Sequence, residues 1–144
     1  MADLAGRSSA SSFEAFLSER KAASDAFVNG DVGPLLKISA TASPATIFGP
    51  VGTCIQGPTA VNQANSAGST MFQPGGENRF DIMHSGADNQ FAYWVGVQRS
   101  AVNMRGEPEA VVMDLRVTEI FRREDDGWKL IHRHADQLHE PTDE

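Results

Sequence analysis

Glu119 and Arg133 are the two residues whose types and spacing most readily suggest chemistry. They lie on either side of Asp125-Asp126-Gly127, a segment typical of a tight β-hairpin loop because glycine can adopt its left-handed position. Counting outward from a three-residue loop places the two side chains opposite each other on adjacent strands. A carboxylate beside a guanidinium could orient a ligand or move a proton.

Tyr93 is predicted to extend this pair into a row across three strands. A loop at residues 104–108 places Tyr93 opposite Glu119. Glu119 and Arg133 are therefore the candidate catalytic residues of a predicted pocket. The alternative is a structural ion pair, which lowers the pKa of the Glu119 carboxyl and makes it a poor base at neutral pH.

His132, His134 and Asp136 alternate along one strand and raise the question of a metal site. At ~3.4 Å per residue, His132 and Asp136 are ~13 Å apart along an extended strand, too far to share one ion. Another element, for example one with His84, would have to supply ligands. The sequence therefore predicts no metal and no cofactor, and the favoured alternative has His134 bonded to Thr118.

The hairpin ends a run of four strands whose hydrophobic pattern has a period of two, predicted at about residues 79–85, 90–103, 109–123 and 128–138. Before them, Ser11 and Glu14 can form a capping box for a first helix that reaches residue 29. A short helix is expected between residue 31 and Pro44, followed by a strand pair at 45–48 and 53–56. A third helix is expected from Pro58 to about residue 72.

These elements predict an α+β fold in which three N-terminal helices pack on a strongly curved antiparallel sheet. With 144 residues, 40% of them hydrophobic, the chain is expected to form one domain over residues 11–139, with loose tails at 1–10 and 140–144.

Charge and cysteine content exclude several classes of partner. Twelve Lys and Arg against 19 Asp and Glu give a net charge of −7, which repels nucleic acid and anionic membranes. A single cysteine, Cys54, cannot form an internal disulfide, and no apolar stretch approaches the roughly 20 residues of a membrane span. We therefore expect a cytoplasmic protein in which Cys54 is a small buried or half-buried residue.

Several short motifs together resemble the nuclear-transport-factor-2-like superfamily, in particular its SnoaL-like and ketosteroid-isomerase-like branch. They also resemble the association domain of calcium/calmodulin-dependent protein kinase II. The motifs are Thr46-Ile47-Phe48-Gly49-Pro50, Gly57, Ala92-Tyr93, and the segment from Arg116-Val117-Thr118 through Gly127-Trp128 to His132-Arg133-His134. The resemblance covers about residues 13–136. It implies a cone-shaped roll with a pocket inside and an outer sheet face that commonly forms a dimer.

The resemblance does not extend to the functional residues of either family. The positions that match the tyrosine, the basic aspartate and the strand acid of ketosteroid isomerases are Ala23, Gly49 and Val117. The positions that match the pocket arginines of the kinase association domain are Val95, Glu119 and Ala135. Because the proton-transfer groups and the guanidinium groups are missing at these positions, we expect a mainly apolar ligand rather than an anion held by arginines.

Side chains at alternate positions divide the sheet into two faces with different predicted roles. The face predicted to line a ligand pocket carries Tyr93, Val95, Val117, Glu119, Phe121, Ile131 and Arg133. The face predicted to join two subunits carries Trp94, Thr118, Ile120, His132 and His134. The sequence thus predicts a homodimer that binds a small apolar molecule. The alternatives are a lyase, isomerase or cyclase using a residue such as Glu119, and an assembly module without chemistry.

Overall fold

Three helices and six strands make up the described part of the chain, residues 2–125 and 127–139 of a computed structural model. The helices are α1 (Ala2–Phe27), α2 (Gly33–Ile38) and α3 (Pro58–Ser69). The strands are β1 (Thr46–Phe48), β2 (Cys54–Gln56), β3 (Phe72–Ala87), β4 (Phe91–Met104), β5 (Val111–Glu124) and β6 (Gly127–Gln137). The predicted α+β class and the order of elements are confirmed.

All six strands belong to one curved sheet in the order β2-β1-β6-β5-β4-β3. The sheet is mixed rather than antiparallel, because the short strand β1 lies parallel to β6 while the other neighbours are antiparallel. The register of β3 on β4 shifts at two places, and such irregularities bend a sheet. The strands can therefore wrap around the helices to form a cone.

Helix α1 begins at Ala2 and not at the predicted capping box of Ser11. Side chains are described from Ser12 onward. From there the buried positions recur at intervals of three and four, as expected for a helix with one face on the sheet. They are Phe13, Phe16, Leu17, Arg20, Ala23 and Ser24. The predicted tail at residues 140–144 lies outside the described residues.

The β5–β6 hairpin has the predicted register across the site. Glu119 pairs with Arg133, and the pairs that the same count outward from the loop predicts on either side of it are also formed. These pairs are Arg116 with Asp136, Val117 with Ala135, Thr118 with His134, and Ile120 with His132. The hairpin loop includes Asp126, which lies outside the described residues.

Two predicted pairs nearer the hairpin loop are wrong by one residue, in the same direction. Glu124 pairs with Gly127, so the loop is one residue shorter than predicted. Phe121 pairs with Leu130 rather than with Ile131, because Ile131 is an extra residue at a shift of register. The short loop moves the register by one residue and the bulge moves it back, which explains why the pairs beyond the bulge are as predicted.

The register of β4 on β5 differs from the prediction by one residue. Trp94 pairs with Glu119, and Tyr93 pairs with Ile120. The connection at residues 105–110 has no two-residue turn that would fix the pairing, and β4 is apolar on both faces. A slip of one residue exchanges the faces, so Trp94 lies inside while Tyr93 and Val95 lie outside. The predicted placement of all three residues is therefore wrong.

Two apolar clusters fill the space between helices and sheet. The larger contains aromatic residues of α1 and the β5–β6 hairpin, with the Phe13 ring 5.3 Å from that of Phe121 and 5.6 Å from that of Trp128. The smaller cluster is made of Ala40, Ala45, Val61 and Ile131, against which Ile47, Ile55 and Ile120 pack. The core is thus divided into two parts.

Cys54 is exposed with a free thiol, so the expectation of a buried or half-buried cysteine is wrong. No helix in residues 2–125 and 127–139 is long and apolar enough to cross a membrane.

Substitution of Gly96 tests the packing of β4 against β3. A Cβ at this position would lie 2.2 Å from the backbone oxygen of Asp81, which cannot move without breaking the ladder. We expect Gly96→Ala to lower the free energy of unfolding by about 1–3 kcal/mol in urea denaturation. In the control Gly33→Ala the new Cβ meets only the flexible carboxylate of Asp31, at 3.2 Å, and a change below about 0.5 kcal/mol is expected. Equal effects of both substitutions would contradict the observed register.

Candidate functional site

Glu119 lies on the inner face of the sheet and is completely buried. Its carboxylate accepts two hydrogen bonds from Arg20, of 2.9 Å from Nε and 2.8 Å from Nη2. Arg133 Nη1 donates a third of 2.7 Å, and Trp94 Nε1 donates a fourth of 2.7 Å. Each oxygen therefore accepts two bonds, and the acceptor capacity of this carboxylate is filled.

The three side chains around this carboxylate come from three different elements, α1, β4 and β6, while Glu119 itself lies on β5. The hairpin predicts the pair of Glu119 with Arg133, but Arg20 and Trp94 were missed as partners. Arg20 occupies a buried position of α1, with only 3% of its side chain exposed. A signal for it exists in the sequence, since Arg20 follows Leu17 by three residues and precedes Ala23 by three on the apolar stripe of the helix.

The polar group extends from Arg133 towards α1 and β3. Arg133 Nη2 donates to Gln98 Oε1 at 2.6 Å, and Gln98 Nε2 donates to Asn78 Oδ1 at 2.7 Å and to Ser24 Oγ at 3.2 Å. Asn78 Nδ2 in turn donates to Ser24 Oγ at 3.0 Å and to the exposed Asp25 at 3.1 Å. This connected set (Arg20, Ser24, Asn78, Trp94, Gln98, Glu119 and Arg133) is called the interior polar network below.

Electrostatics in the network keep Glu119 ionised. Burial would raise the pKa of its carboxyl, but the charges of Arg20 and Arg133 and their hydrogen bonds outweigh burial and lower the pKa to about 2. The pKa of Arg133 lies below its ordinary value, because burial and the charge of Arg20 lower it more than Glu119 raises it. Two guanidinium groups thus share one carboxylate.

A cavity of about 90 Å³, here called the cone cavity, lies beside the network. Four members of the network line it: Arg20, Ser24, Gln98 and Arg133. Most of the other lining residues are apolar, and they come from both clusters of the core. They are Phe27, Val28, Leu35, Ala45, Ile47, Val61, Phe72, Met113, Leu115, Leu130 and Ile131, together with Ser39, Thr46, Asn65 and His132. Such a mixture is typical of ligand sites.

The residues predicted to bind a ligand fall into three groups. Ile131 and Arg133 line the cone cavity. Val117, Glu119 and Phe121 point inward but are buried in the protein interior, with at most 2% exposed. Tyr93 and Val95 lie on the outer face as a result of the register of β4, and the Tyr93 hydroxyl is hydrogen-bonded to His84 Nδ1 at 3.0 Å.

By their strand pairing, four of the five residues predicted at a subunit interface belong to the outer face: Thr118, Ile120, His132 and His134. Of these, Ile120 also packs against the smaller apolar cluster and His132 also lines the cone cavity. Trp94, the fifth, is fully buried on the inner face, so its prediction as an interface residue is wrong. Phe48 lies against both histidines, with its ring 4.9 Å from that of His132 and 5.5 Å from that of His134.

The histidines of this face have local partners rather than a common ligand. His132 Nδ1 and Thr46 Oγ1 are hydrogen-bonded at 2.7 Å. Burial and the neighbouring His134 lower the pKa of His132 against the opposing charge of Glu119, so His132 is neutral at neutral pH. Among the described residues, no group of three histidine, cysteine or acidic side chains is placed to hold a metal ion. Arg116 and Asp136 form an exposed pair beside them, with two hydrogen bonds of 2.6 Å.

Comparison of folds links the chain to known proteins. No protein-family model matches the sequence, and no curated protein matches it. Among solved structures, a nuclear-transport-factor-2-like superfamily protein from Salmonella enterica serovar Typhimurium has a TM-score of 0.68 at 10% identity over 82% of this chain and 84% of its own. An uncharacterised protein with a cystatin-like fold from Caulobacter vibrioides has a TM-score of 0.66 at 14% identity, over 90% and 89%.

A second kind of neighbour is the hub homology domain of calcium/calmodulin-dependent protein kinase II from Chlamydomonas reinhardtii. Its TM-score is 0.65 at 17% identity, over 86% of this chain and 96% of that domain. These identities are too low to transfer a function. The predicted resemblance to the nuclear-transport-factor-2-like superfamily is confirmed at the level of the fold.

Replacing Glu119 tests whether it is a structural anchor. Glu119→Gln leaves Arg20 and Arg133 buried without a counter-charge, and we expect a loss of about 3–5 kcal/mol in the free energy of unfolding. The control Asp136→Asn breaks an exposed pair that water screens, and should barely change the melting temperature. A Glu119→Gln protein as stable as the native chain would contradict this role.

The stability contributed by Glu119 depends on pH. Its folded pKa of about 2 lies below the ordinary value of 4.5, so the stabilisation is fully present above about pH 4.5 and is lost as the pH falls towards 2. This difference corresponds to about 3 kcal/mol. Urea denaturation between pH 2 and 6 should show a steeper dependence on pH in the native chain than in Glu119→Gln. Parallel curves would contradict it.

Proposed function

We propose that this chain binds a small molecule in the cone cavity. The observation that carries the proposal is the cavity itself, which lies between the helices and the sheet and combines a mainly apolar lining with two hydrogen-bonded arginines, Arg20 and Arg133. Protein interiors are normally close-packed, so a void lined by arginine and glutamine side chains is unusual for a purely structural core. The fold of the superfamily supports the same reading, because its cone provides a pocket.

The geometry favours binding without chemistry by Glu119. A general base must be able to accept a proton near neutral pH, and a carboxyl with a pKa of about 2 holds one poorly. All acceptor positions of Glu119 are also occupied by protein donors. The alternative of a lyase, isomerase or cyclase that uses Glu119 as its base therefore has no support in this arrangement.

Filling the cavity tests where a ligand binds. Ala45 lines the cone cavity and is 3% exposed, so Ala45→Leu places a larger side chain into that space. Small-molecule fragments that bind the native chain in ligand-observed NMR should lose at least about tenfold in affinity, because a side chain occupies their volume.

The matched control is Ala22→Leu, which adds the same atoms on the exposed face of α1. Fragment affinity should be unchanged in this variant. Fragments that bind equally well to the native chain and to Ala45→Leu would show that they bind elsewhere, and a screen without saturable binders would contradict the proposed function.

Self-association through the outer sheet face is the second proposed property. Large apolar side chains are exposed on or beside this face, among them Met83 at 74%, Phe91 at 47% and Tyr93 at 37%. Such a patch is typical of an interface. The hub domain that shares this fold supports the proposal, and a homodimer remains the form we propose.

Charge on the outer face is balanced, although the whole chain carries −7. Asp81 lies between Arg79 and Arg99, at 3.0 and 3.1 Å, and Arg99 also contacts Asp114 at 3.3 Å. Arg116 and Asp136 form a further pair. Two copies of a face with paired charges of both signs can meet without the repulsion that the net charge would cause elsewhere.

Tyr93→Asp tests the dimer. A carboxylate at this exposed apolar position would be desolvated in the interface, so we expect the dimer dissociation constant to rise at least about tenfold. Sedimentation velocity over a micromolar concentration series measures it. Ala22→Asp adds the same charge on the exposed face of α1 and should leave the dissociation constant unchanged. A native chain that sediments as a monomer, or a dimer broken only by Ala22→Asp, would contradict the proposed interface.

A further inference from the structure

We infer that the molecule bound in the cone cavity carries one carboxylate group and that this carboxylate pairs with Arg133. The inference rests on the proposed function and specifies the chemistry of its ligand. It replaces the expectation of a mainly apolar ligand, which was based on the absence of arginines at the positions that match the kinase association domain. The structure supplies guanidinium groups from other positions, Arg20 on α1 and Arg133 on β6.

The first argument is the balance of charge. Arg20 and Arg133 both line the cavity, and the one acidic group in contact with either is Glu119, among the described residues. The next carboxylate in the hydrogen-bond chain, that of Asp25, is exposed and is reached only through Asn78. The cavity wall therefore carries one excess positive charge. A charge in such surroundings is costly unless a partner of opposite sign is close.

The second argument concerns unused hydrogen-bond donors. Glu119 already accepts four bonds and cannot accept more. Arg133 donates one N–H to Glu119 and one to the neutral Gln98, and its other N–H groups have no partner among the described residues. Its side chain keeps 18% of its surface accessible beside the cavity. Arg20 Nη1 also lacks a partner but is itself closed off, so it contributes charge while Arg133 offers the contact.

The third argument selects a monoanion with an apolar body. One excess positive charge is neutralised by a carboxylate, whereas a phosphate group with a charge of about −1.5 to −2 would leave a buried negative charge. Most of the remaining lining is aliphatic or aromatic, which suits a hydrocarbon chain. The volume of about 90 Å³ is smaller than the ~150 Å³ of a cavity that admits benzene, so the expected ligand is small.

Matched pairs of ligands provide the test. Straight-chain carboxylic acids of three to six carbons and their primary amides have nearly the same shape and differ in charge. Calorimetric or NMR titration of the native chain at pH 7 should show that the best acid binds at least about tenfold more tightly than its amide. Inorganic phosphate should not compete with it.

Amino-acid substitutions test whether Arg133 causes the difference in affinity between the acid and the amide. In Arg133→Gln the affinity for the acid should fall to that for the amide, while Arg116→Gln, at an exposed pair on the outer face, should leave both affinities unchanged. Should Arg133→Gln not fold, the native chain with a ¹³C-labelled carboxyl on the acid gives an independent measurement. The bound carboxyl should keep the chemical shift of the ionised form at pH 4, where the free acid is largely protonated.

Each of the other possible results of these titrations would contradict one specific claim. If acid and amide bind equally well, or the bound carboxyl protonates like the free acid, the inference of a carboxylate ligand fails and the proposed binding function stands. If phosphate binds in place of the acid, the choice of a monoanion is wrong. If no acid or amide binds and the fragment screen is also empty, the proposed function itself fails.

Discussion

The sharing of one buried carboxylate by two guanidinium groups and an indole organises the interior of this protein. Glu119 accepts from α1, β4 and β6, so a single side chain holds the first helix against three neighbouring strands. Removing Glu119 would leave two guanidinium charges without a counter-charge in a low-dielectric interior, which is more costly than the interaction is favourable. The geometry of the cone therefore depends on keeping the side chains of Glu119, Arg20, Arg133 and Trp94 together. The cone cavity lies next to Arg133, whose positive charge shares its acidic partner Glu119 with Arg20.

The two hairpins show how far a sequence specifies the pairing of strands. Between β5 and β6, the positive φ of Gly127 marks a tight turn, and the predicted pair of Glu119 with Arg133 is formed because the extra residue Ile131 compensates the one-residue error at the loop. Between β4 and β5 the loop is long, and β4 presents apolar residues at both odd and even positions. The pattern then leaves the choice of face to tertiary packing, which buries the larger ring of Trp94 and leaves Tyr93 outside.

Only the part of the site that lies in the β5–β6 hairpin could be predicted from the sequence, because the pairing in a hairpin depends on residues close together in the chain. Arg133 follows from the hairpin, whereas Arg20 is 99 residues from the carboxylate that it binds, and no local pattern links the two. An arginine on the apolar stripe of a helix is usually at the edge of that stripe with its charge in water. Here α1 crosses directly over Glu119, and the electrostatic partner makes burial of the arginine possible. Arg20 was missed for this reason, because the partners of Glu119 were sought only on strands.

The bulge at Ile131 explains why the core contains a cavity. In a regular strand Leu130 and Ile131 would point to opposite faces, yet both are buried, and they belong to different apolar clusters. The extra residue turns the strand so that its side chains serve two cores, and the cone cavity is lined from both of them. Larger side chains in that gap would merge the clusters and displace Arg133 from its position beside the cavity. The bulge thus connects strand pairing to the ligand site, since it sets the direction of β6 two residues before the guanidinium that we infer to bind the ligand.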